Sequence, residues 1–123
     1  MACRSDHARQ EQARLLTLAE HIDRLRRANN ADKRALLAQL TLLECQDAEA
    51  CGLKDLCVRA YELHQRVLDS IETMQRAAAR DASPPEPALR ARFGQTERDL
   101  AAARGLTESC AEEQVRVVRK ALL

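Results

Sequence analysis

The segment from Leu15 to Leu25, LLTLAEHIDRL, shows the pattern that decides the fold. Its apolar residues follow one another at steps of three, four and three, and they are Leu15, Leu18, Ile22 and Leu25. Because an α-helix has 3.6 residues per turn, side chains at this spacing lie along one face of a helix. The segment is therefore predicted to form an amphipathic helix that packs against other helices.

The same heptad spacing can be followed over residues 8–80. One core position of this frame is occupied by Leu15, Ile22, Asn29, Leu36, Leu43, Ala50, Cys57, His64 and Ile71. The other core position is occupied by Leu18, Leu25, Asp32, Gln39, Gln46, Leu53, Ala60, Val67 and Met74. A heptad pattern kept over about nine repeats is typical of long coiled-coil-type helices. If residues 8–80 formed a single helix, it would be on the order of 105 Å long, at about 1.5 Å per residue.

The composition supports a helical fold with an aliphatic core. Ala, Glu, Lys, Leu and Arg account for 71 of the 123 residues, and these residues are the strongest helix formers. Apolar residues make up 46% of the chain, but Tyr61 and Phe93 are its only aromatic residues. We therefore expect an all-α chain with room for one domain at most, whose core consists of Leu, Ala, Val and Ile.

The heptad frame contains two positions at which a helix could end. Asn29 and Asp32 put polar side chains at successive core positions. They predict either a turn near residues 29–31, because Asn and Asp cap helices, or a polar layer in a continuous helix. Gly52 is the second position, but one Gly costs a helix only about 1 kcal/mol, so the helix is expected to continue through it. Between residues 36 and 43 the apolar face widens, which favours three or more helices in contact.

A proline-rich stretch, DASPPEP at residues 81–87, is the clearest break in the sequence. Three prolines in four residues cannot continue a helix. The stretch therefore divides the chain into an N-terminal helical region at 1–80, a linker at 81–87 and a shorter C-terminal helical segment at 88–123.

The C-terminal segment has its own start signal and its own irregularity. Ser83 and Glu86 have the spacing of a capping box, but Pro87 is the favoured first residue of the helix. Gly105 interrupts the apolar frame, and the stripe that follows it is shifted by about four residues. This shift predicts either a stutter in a continuous helix or a short hinge.

The charge balance gives little reason to propose nucleic acid or an acidic membrane as a partner. The chain has 20 basic and 19 acidic residues, for a formal net charge of +1. Its basic cluster has no neighbouring aromatic residue to stack on bases, so it is interpreted as a solvated or ion-pairing surface. This cluster consists of Arg24, Arg26, Arg27, Lys33 and Arg34. No apolar run approaches the roughly 20 residues that are needed to span a bilayer.

The cysteine content favours free thiols. The chain has five cysteines, an odd number, and its charged N-terminus lacks the apolar stretch of a signal peptide. We therefore expect a reducing intracellular location, in the cytoplasm or nucleus. Cys45, Cys51 and Cys57 are six residues apart, so on one continuous helix they would point to three different faces and could not bind one metal ion together.

No arrangement typical of catalysis is present. His7, His21 and His64 have no neighbouring Ser, Cys or carboxylate placed as a nucleophile and base, and His64 falls at a core position where a buried neutral imidazole is expected. No glycine-rich phosphate loop occurs. The chain is therefore expected not to be an enzyme, and no catalytic, cofactor-binding or metal-binding residue is assigned.

These observations favour a structural or scaffolding subunit that forms a coiled coil or helical bundle with other protein chains. A hetero-oligomer is expected, with a homo-oligomer as the other option. The candidate partner-binding residues are apolar residues of the two stripes, namely Leu15, Leu18, Ile22, Leu25, Leu36, Leu40, Leu43, Leu53, Val67, Ile71, Val115, Val118 and Leu122. The alternative is a small helical-bundle adaptor or chaperone that binds an amphipathic helix of a client in a groove. That alternative requires a turn near residues 29–31.

Overall fold

Four α-helices make up the computed structural model, which describes residues 2–82 and 84–123. They are α1 (Ala2–Arg27), α2 (Asn30–Leu42), α3 (Ala48–Ala79) and α4 (Glu86–Leu122). No strand occurs within the described ranges, so the prediction of an all-α fold is confirmed. Coiled-coil packing stays a prediction.

Contacts between the helices show that they run alternately up and down. Near one end of the bundle, the Gln12 side chain of α1 donates a hydrogen bond to the carbonyl oxygen of Ala121 at 3.3 Å. At the other end of α1, Arg26 donates to Gln114 of α4 at 2.6 Å. Because the residue numbers rise along α1 and fall along α4, the two helices are antiparallel.

Contacts at the two ends of α2 show that α2 and α3 are also antiparallel. Arg34, in the first turns of α2, donates to the Asp69 carboxylate at 2.6 Å. Lys54, near the start of α3, donates to the carbonyl oxygen of Leu43, just after α2. Consecutive helices contact one another and α1 also contacts α4, which closes a four-helix arrangement.

The turn between α1 and α2 forms at the predicted place. Asn29 has an extended backbone, and its side-chain oxygen accepts a hydrogen bond from the Asp32 amide at 3.0 Å. Asn29 is therefore the N-cap of α2, and the alternative of a polar layer in one continuous helix is wrong. The heptad frame folds back on itself here, so no rod of about 105 Å forms.

A second break, at residues 43–47, was not predicted. Leu43 ends α2 with an extended backbone, and Asp47 caps α3 by accepting a hydrogen bond from the Ala50 amide at 2.9 Å. The capping carboxylate is the signal that the heptad frame concealed, since an Asp three residues before an apolar residue fits a helix start. α3 then continues through Gly52, as expected.

α4 is one continuous helix. It begins at Glu86, with Pro87 in its first turn, and passes through Gly105 without interruption. The hinge is therefore wrong, and the helix is continuous through the shift in its apolar frame. The capping-box alternative depended on Ser83, which lies outside the described residues.

The bundle core is aliphatic, as the composition predicts. Tyr61 is its only buried aromatic residue in the described ranges, whereas Phe93 is 49% exposed. The core cluster joins residues of all four helices: Leu15, Leu18, Ile22, Leu25, Leu40, Ala50, Leu53, Cys57, Ala60, Tyr61, Cys110 and Val117. Burial of these side chains is the main stabilising contribution to the fold.

Four of the five cysteines form disulfides, so the expectation of free thiols is wrong for them. Cys45 pairs with Cys51, and Cys57 of α3 pairs with Cys110 of α4. The expectation that Cys45, Cys51 and Cys57 point to different faces assumed a continuous helix. Cys45 instead lies in the break before α3, and it bonds to Cys51 near the start of that helix.

α3 and α4 extend beyond the other two helices. Arg34, the fifth residue of α2, binds Asp69, so α2 begins about one turn beyond the level of Asp69. The end of α3, residues 74–79, continues past the start of α2 and returns through the linker into the first part of α4. At about 1.5 Å per residue, this two-helix hairpin projects roughly 9 Å from the bundle.

The Cys57–Cys110 disulfide is expected to contribute more to stability than the Cys45–Cys51 disulfide. The first bond closes a loop with a sequence separation of 53 and the second a loop of 6. By loop-closure entropy, replacing both cysteines with Ala should cost about 4 kcal/mol for the first pair and about 2 kcal/mol for the second. Urea denaturation followed by circular dichroism measures both values. Equal losses for the two double variants would contradict this ranking.

Acid should weaken the fold through His64. Its imidazole Nε2 lies 3.5 Å from Lys33 Nζ, and burial, followed by this ammonium group, lowers the pKa of His64. The imidazole of the unfolded chain titrates near pH 6.5. The unfolded chain therefore takes up its proton first, so the free energy of unfolding should fall as the pH drops from about 7 to about 5. Urea denaturation across this range should show a smaller fall for His64→Gln.

Gln10→Ala is the matched control, because Gln10 is exposed on α1 and carries no titratable group. It should show the same fall between pH 7 and pH 5 as the parent chain. Asp69 acts in a separate range: the hydrogen bond from Arg34 lowers the pKa of its carboxyl group, so its contribution is lost only below about pH 4. If His64→Gln keeps the full fall above pH 5, the assignment to His64 is wrong.

Candidate partner-binding groove

An apolar groove runs between the outer faces of α1 and of the last three turns of α4. We call it the α1–α4 groove. Its apolar lining residues are Leu16, Ala19, Ala111, Val115, Val118, Leu122 and Leu123. The exposed fraction is 39% for Leu16, 53% for Val115 and 57% for Leu122. Large apolar side chains clustered at the surface in this way are typical of interaction sites.

The groove exists because the C-terminal half of α4 is apolar on two faces. The inward face carries Cys110, Gln114 and Val117, which are all buried. The outward face carries Val115 and Val118, one position further along in each turn. A helix with a single apolar stripe can bury it against one neighbour, but α4 carries a second stripe after its first is buried. The C-terminal stripe predicted from the sequence is this outward one, and the inward stripe was missed.

A polar network joins α1 to α4 at one end of the groove. Gln114 is 8% exposed, and its amide nitrogen donates to the Asp23 carboxylate at 2.9 Å and to the Ala19 carbonyl oxygen at 3.3 Å. Arg26 donates to Gln114 Oε1 at 2.6 Å and to Asp23 at 2.9 Å. Each side chain in this network forms a hydrogen bond with another, which is the condition for burying polar groups without a large energetic penalty. The network therefore sets the register of α1 on α4.

The two rims of the groove carry opposite charges. Glu20 lies on the α1 rim and Arg119 on the α4 rim. Neither side chain forms an ion pair with any residue that the structure describes. Asp23 and Arg26 are already paired with each other. The groove thus presents one free carboxylate and one free guanidinium group on either side of an apolar floor.

The predicted partner-binding residues divide between the core and this groove. Those that are buried pack against other helices of the same chain, and they are Leu15, Leu18, Ile22, Leu25, Leu40, Leu53 and Val67. Leu36, Leu43 and Ile71 are half-buried outside the groove. Val115, Val118 and Leu122 are brought together along the groove. A role in partner binding stays a prediction for the whole set.

Leu16 is the groove residue that the sequence reasoning missed. The heptad frame assigns Leu15 to the core, and the structure buries it there. Leu16 follows directly, so its side chain points about 100° away from the buried face. The signal was the Leu15-Leu16 pair itself, because two adjacent leucines cannot both face the same neighbour.

Other clusters of polar side chains in the described ranges give weaker support for a functional site. His64 packs edge-on against Tyr61, and Lys33 lies 5.9 Å from the centre of the tyrosine ring. A cleft between α3 and α4, at the base of the projecting hairpin, is lined mostly by polar and charged side chains, among them Arg66, Asp69 and Arg92. Across residues 2–82 and 84–123, no three His, Cys, Asp or Glu side chains converge as a metal-ligand set. Within the same ranges, no helix combines the length and apolar character of a membrane span.

Gln114→Ala should destabilise the fold by about 1–3 kcal/mol, because it removes the hydrogen bonds that join Gln114 to the charged groups of Arg26 and Asp23. The matched control is Gln95→Ala on the same helix, since Gln95 is exposed and bonds only to Arg98 and Asp99. That control should stay within about 0.5 kcal/mol of the parent chain. Thermal and urea unfolding measure both variants, and equal effects would refute a special role for the network.

Comparison with known proteins leaves the function to be argued from this geometry. No family model, characterised protein or solved structure gives a significant match to the chain. The α1–α4 groove is therefore the feature that bears most directly on function.

Proposed function

We propose that this chain is a non-catalytic protein-interaction module that binds an amphipathic helix of another protein in the α1–α4 groove. The observation that carries the proposal is the second apolar stripe of α4, with Val115 and Leu122 more than half exposed beside Leu16. Burying such side chains against a partner is favourable at about 25 cal/mol per Å² of apolar surface. An apolar helix face laid into a groove is a recurrent mode of peptide recognition.

The dimensions of the groove suit a short helix. Its α4 wall runs over residues 111–123, which at about 1.5 Å per residue measures roughly 18 Å. A partner helix of three to four turns would cover that length. Its anchors would recur at positions i, i+3 or i+4, and i+7, so that one apolar stripe meets the floor of the groove.

The charged rims of the groove predict which side chains flank the apolar stripe of the partner helix. A basic side chain on one flank would pair with Glu20, and an acidic side chain on the other would pair with Arg119. Such pairs at an exposed rim add orientation more than affinity. This mixed charge fits a protein helix better than an anionic lipid surface, which would favour uniformly basic rims.

The scaffolding hypothesis has an observation of its own in the projecting hairpin of α3 and α4. That hairpin extends roughly 9 Å beyond the start of α2 at about 1.5 Å per residue, and Phe93 of α4, close to its base, is 49% exposed. A subunit that bridges other chains would use such a projection. The groove hypothesis is favoured because the groove brings together seven apolar residues, whereas Met74 is the one apolar residue among the described residues that line the cleft at the base of the hairpin.

The proposal is tested by selecting binders from a display library of 14-residue amphipathic helical peptides. The selected peptides should carry an apolar stripe, and their affinity should fall about tenfold or more for Val115→Glu and for Leu122→Glu, because each places a charge on the apolar floor. Leu42→Glu is the matched control, since Leu42 is 82% exposed on α2 and lies outside the groove. Fluorescence anisotropy gives the affinities, and circular dichroism checks that the variants are folded.

Two outcomes would contradict the proposal. In the first, the selected peptides bind all three variants equally, so their site lies elsewhere. In the second, light scattering shows a concentration-dependent dimer that Val115→Glu dissociates. The occupant of the groove would then be a second copy of this chain.

A further inference from the structure

The disulfide between Cys57 and Cys110 lies directly behind one end of the α1–α4 groove. Both cysteines are completely buried. Ala111, the next residue after Cys110, lines the groove, and Gln114 follows one turn later. The bond to α3 therefore holds α4 at the point where its outward stripe begins.

Side-chain contacts link the position of α4 at Cys110 to α1, which forms the opposite wall of the groove. Arg26 of α1 places Nη2 3.9 Å from Cys110 Sγ and 2.6 Å from Gln114 Oε1. Gln114 in turn donates to Asp23, also on α1, at 2.9 Å. One connected set of contacts thus runs from the disulfide through the polar network to the wall formed by α1.

Breaking the S–S bond increases the separation of the two sulfur atoms, so the contacts around them must adjust. Two thiols need more room than a disulfide, because non-bonded sulfur atoms cannot approach as closely as bonded ones. Cys57 and Cys110 lie in a close-packed core that has little free volume to absorb the change. α4 must then shift relative to α3, and the Gln114 contacts with α1 shift with it.

We propose that Cys57–Cys110 is a redox lock on the groove, such that the oxidised chain binds its partner helix and the reduced chain loses most of that affinity. This inference rests on the proposed function of the groove. The reductant is of the dithiol class: it gives two electrons and two protons to the S–S bond, which breaks to two thiols. The dithiol itself closes to a cyclic disulfide, so atoms and electrons balance.

The second disulfide serves as an internal comparison. Cys45 and Cys51 are half-buried, so their bond is more accessible to a reductant than the buried Cys57–Cys110 bond. They join the break before α3 to the same helix, and neither lines the groove. Reduction of this pair should leave the groove and its affinity unchanged.

A redox lock bears on where the chain acts. The expectation of a cytoplasmic or nuclear location rested on the odd number of cysteines and on the lack of a signal-peptide pattern, whereas the lock is closed only where dithiol reductants are scarce. The proposal therefore favours an oxidising compartment as the site of partner binding. Transfer to a reducing compartment would release the partner.

The experiment uses the full chain carrying Cys3→Ser, Cys45→Ser and Cys51→Ser, so that only the lock remains. Peptide affinity by anisotropy and amide hydrogen exchange of residues 111–122 are measured before and after dithiothreitol treatment. We expect affinity to fall about tenfold, within the roughly 5–150-fold range typical of coupled sites. Exchange in this segment should become faster, while far-ultraviolet circular dichroism stays largely helical.

A second variant checks the cause of the effect. Cys57→Ala with Cys110→Ala removes the bond without leaving two crowded, non-bonded sulfur atoms in the core, so its affinity and exchange should lie closer to those of the oxidised chain than to those of the reduced chain, and dithiothreitol should change neither value. Equal affinity and exchange in the oxidised and reduced forms would overturn the lock. A complete loss of helicity on reduction would also overturn it, because the bond would then stabilise the whole fold instead of controlling the groove.

Failure of the lock and failure of the proposed function give different results. If no selected peptide binds the oxidised chain in the groove, the proposed function fails. Amide exchange still tests the lock in that case, because it needs no partner. If the oxidised chain binds and reduction has no effect, only the lock fails.

Discussion

The pairing of α3 with α4 is the interaction on which the rest of this structure depends. These are the two longest helices, and the most buried residues that they carry include several small ones, Cys57, Ala60, Ala103 and Cys110. Small side chains allow two helix axes to approach closely. The disulfide then fixes the two helices at one height. α2 packs on α3, and α1 packs on both α2 and α4, so the two shorter helices complete the bundle around this pair.

An aliphatic core makes specific contacts more important than they would be in a core rich in aromatic residues. Leucine and alanine side chains bury less area each than Phe or Trp, and they fit several helix registers almost equally well. The polar network of Gln114, Asp23 and Arg26 selects one register, because only one alignment satisfies all three groups. The cost of burying these groups is thus offset by a defined orientation of α1, and that orientation shapes the groove.

Much of the fold follows from the sequence, because heptad periodicity reports which face of a helix is buried. Leu15, Ile22, Leu25 and Leu53 were assigned to a buried face, and all of them are buried. Periodicity does not report which helix covers that face. The same pattern therefore fitted a long coil between chains and a bundle folded from one chain, and only the cap at Asn29 separated the two.

The features that the sequence did not reveal share one physical cause, which is that they depend on contacts between distant residues. Cys57 and Cys110 are separated by 53 positions, and no local pattern brings them together. Gln114 resembles a surface residue until Arg26 and Asp23 are placed beside it. Only one wall of the groove could be predicted from the sequence. The stripe of Val115, Val118 and Leu122 is evident there, whereas the α1 wall depends on the tertiary structure.

The disulfide also determines how the chain would respond to a cut in its linker. Arg80 and Asp81 are exposed between α3 and α4, where a protease finds an accessible backbone. A cut there would give two fragments, but Cys57 lies in one and Cys110 in the other. The nicked molecule would remain a single covalent species, with all four helices retained in their bundle. The connection along the chain at the hairpin tip is therefore dispensable for holding the two halves together, and the tip is free to change in length and sequence.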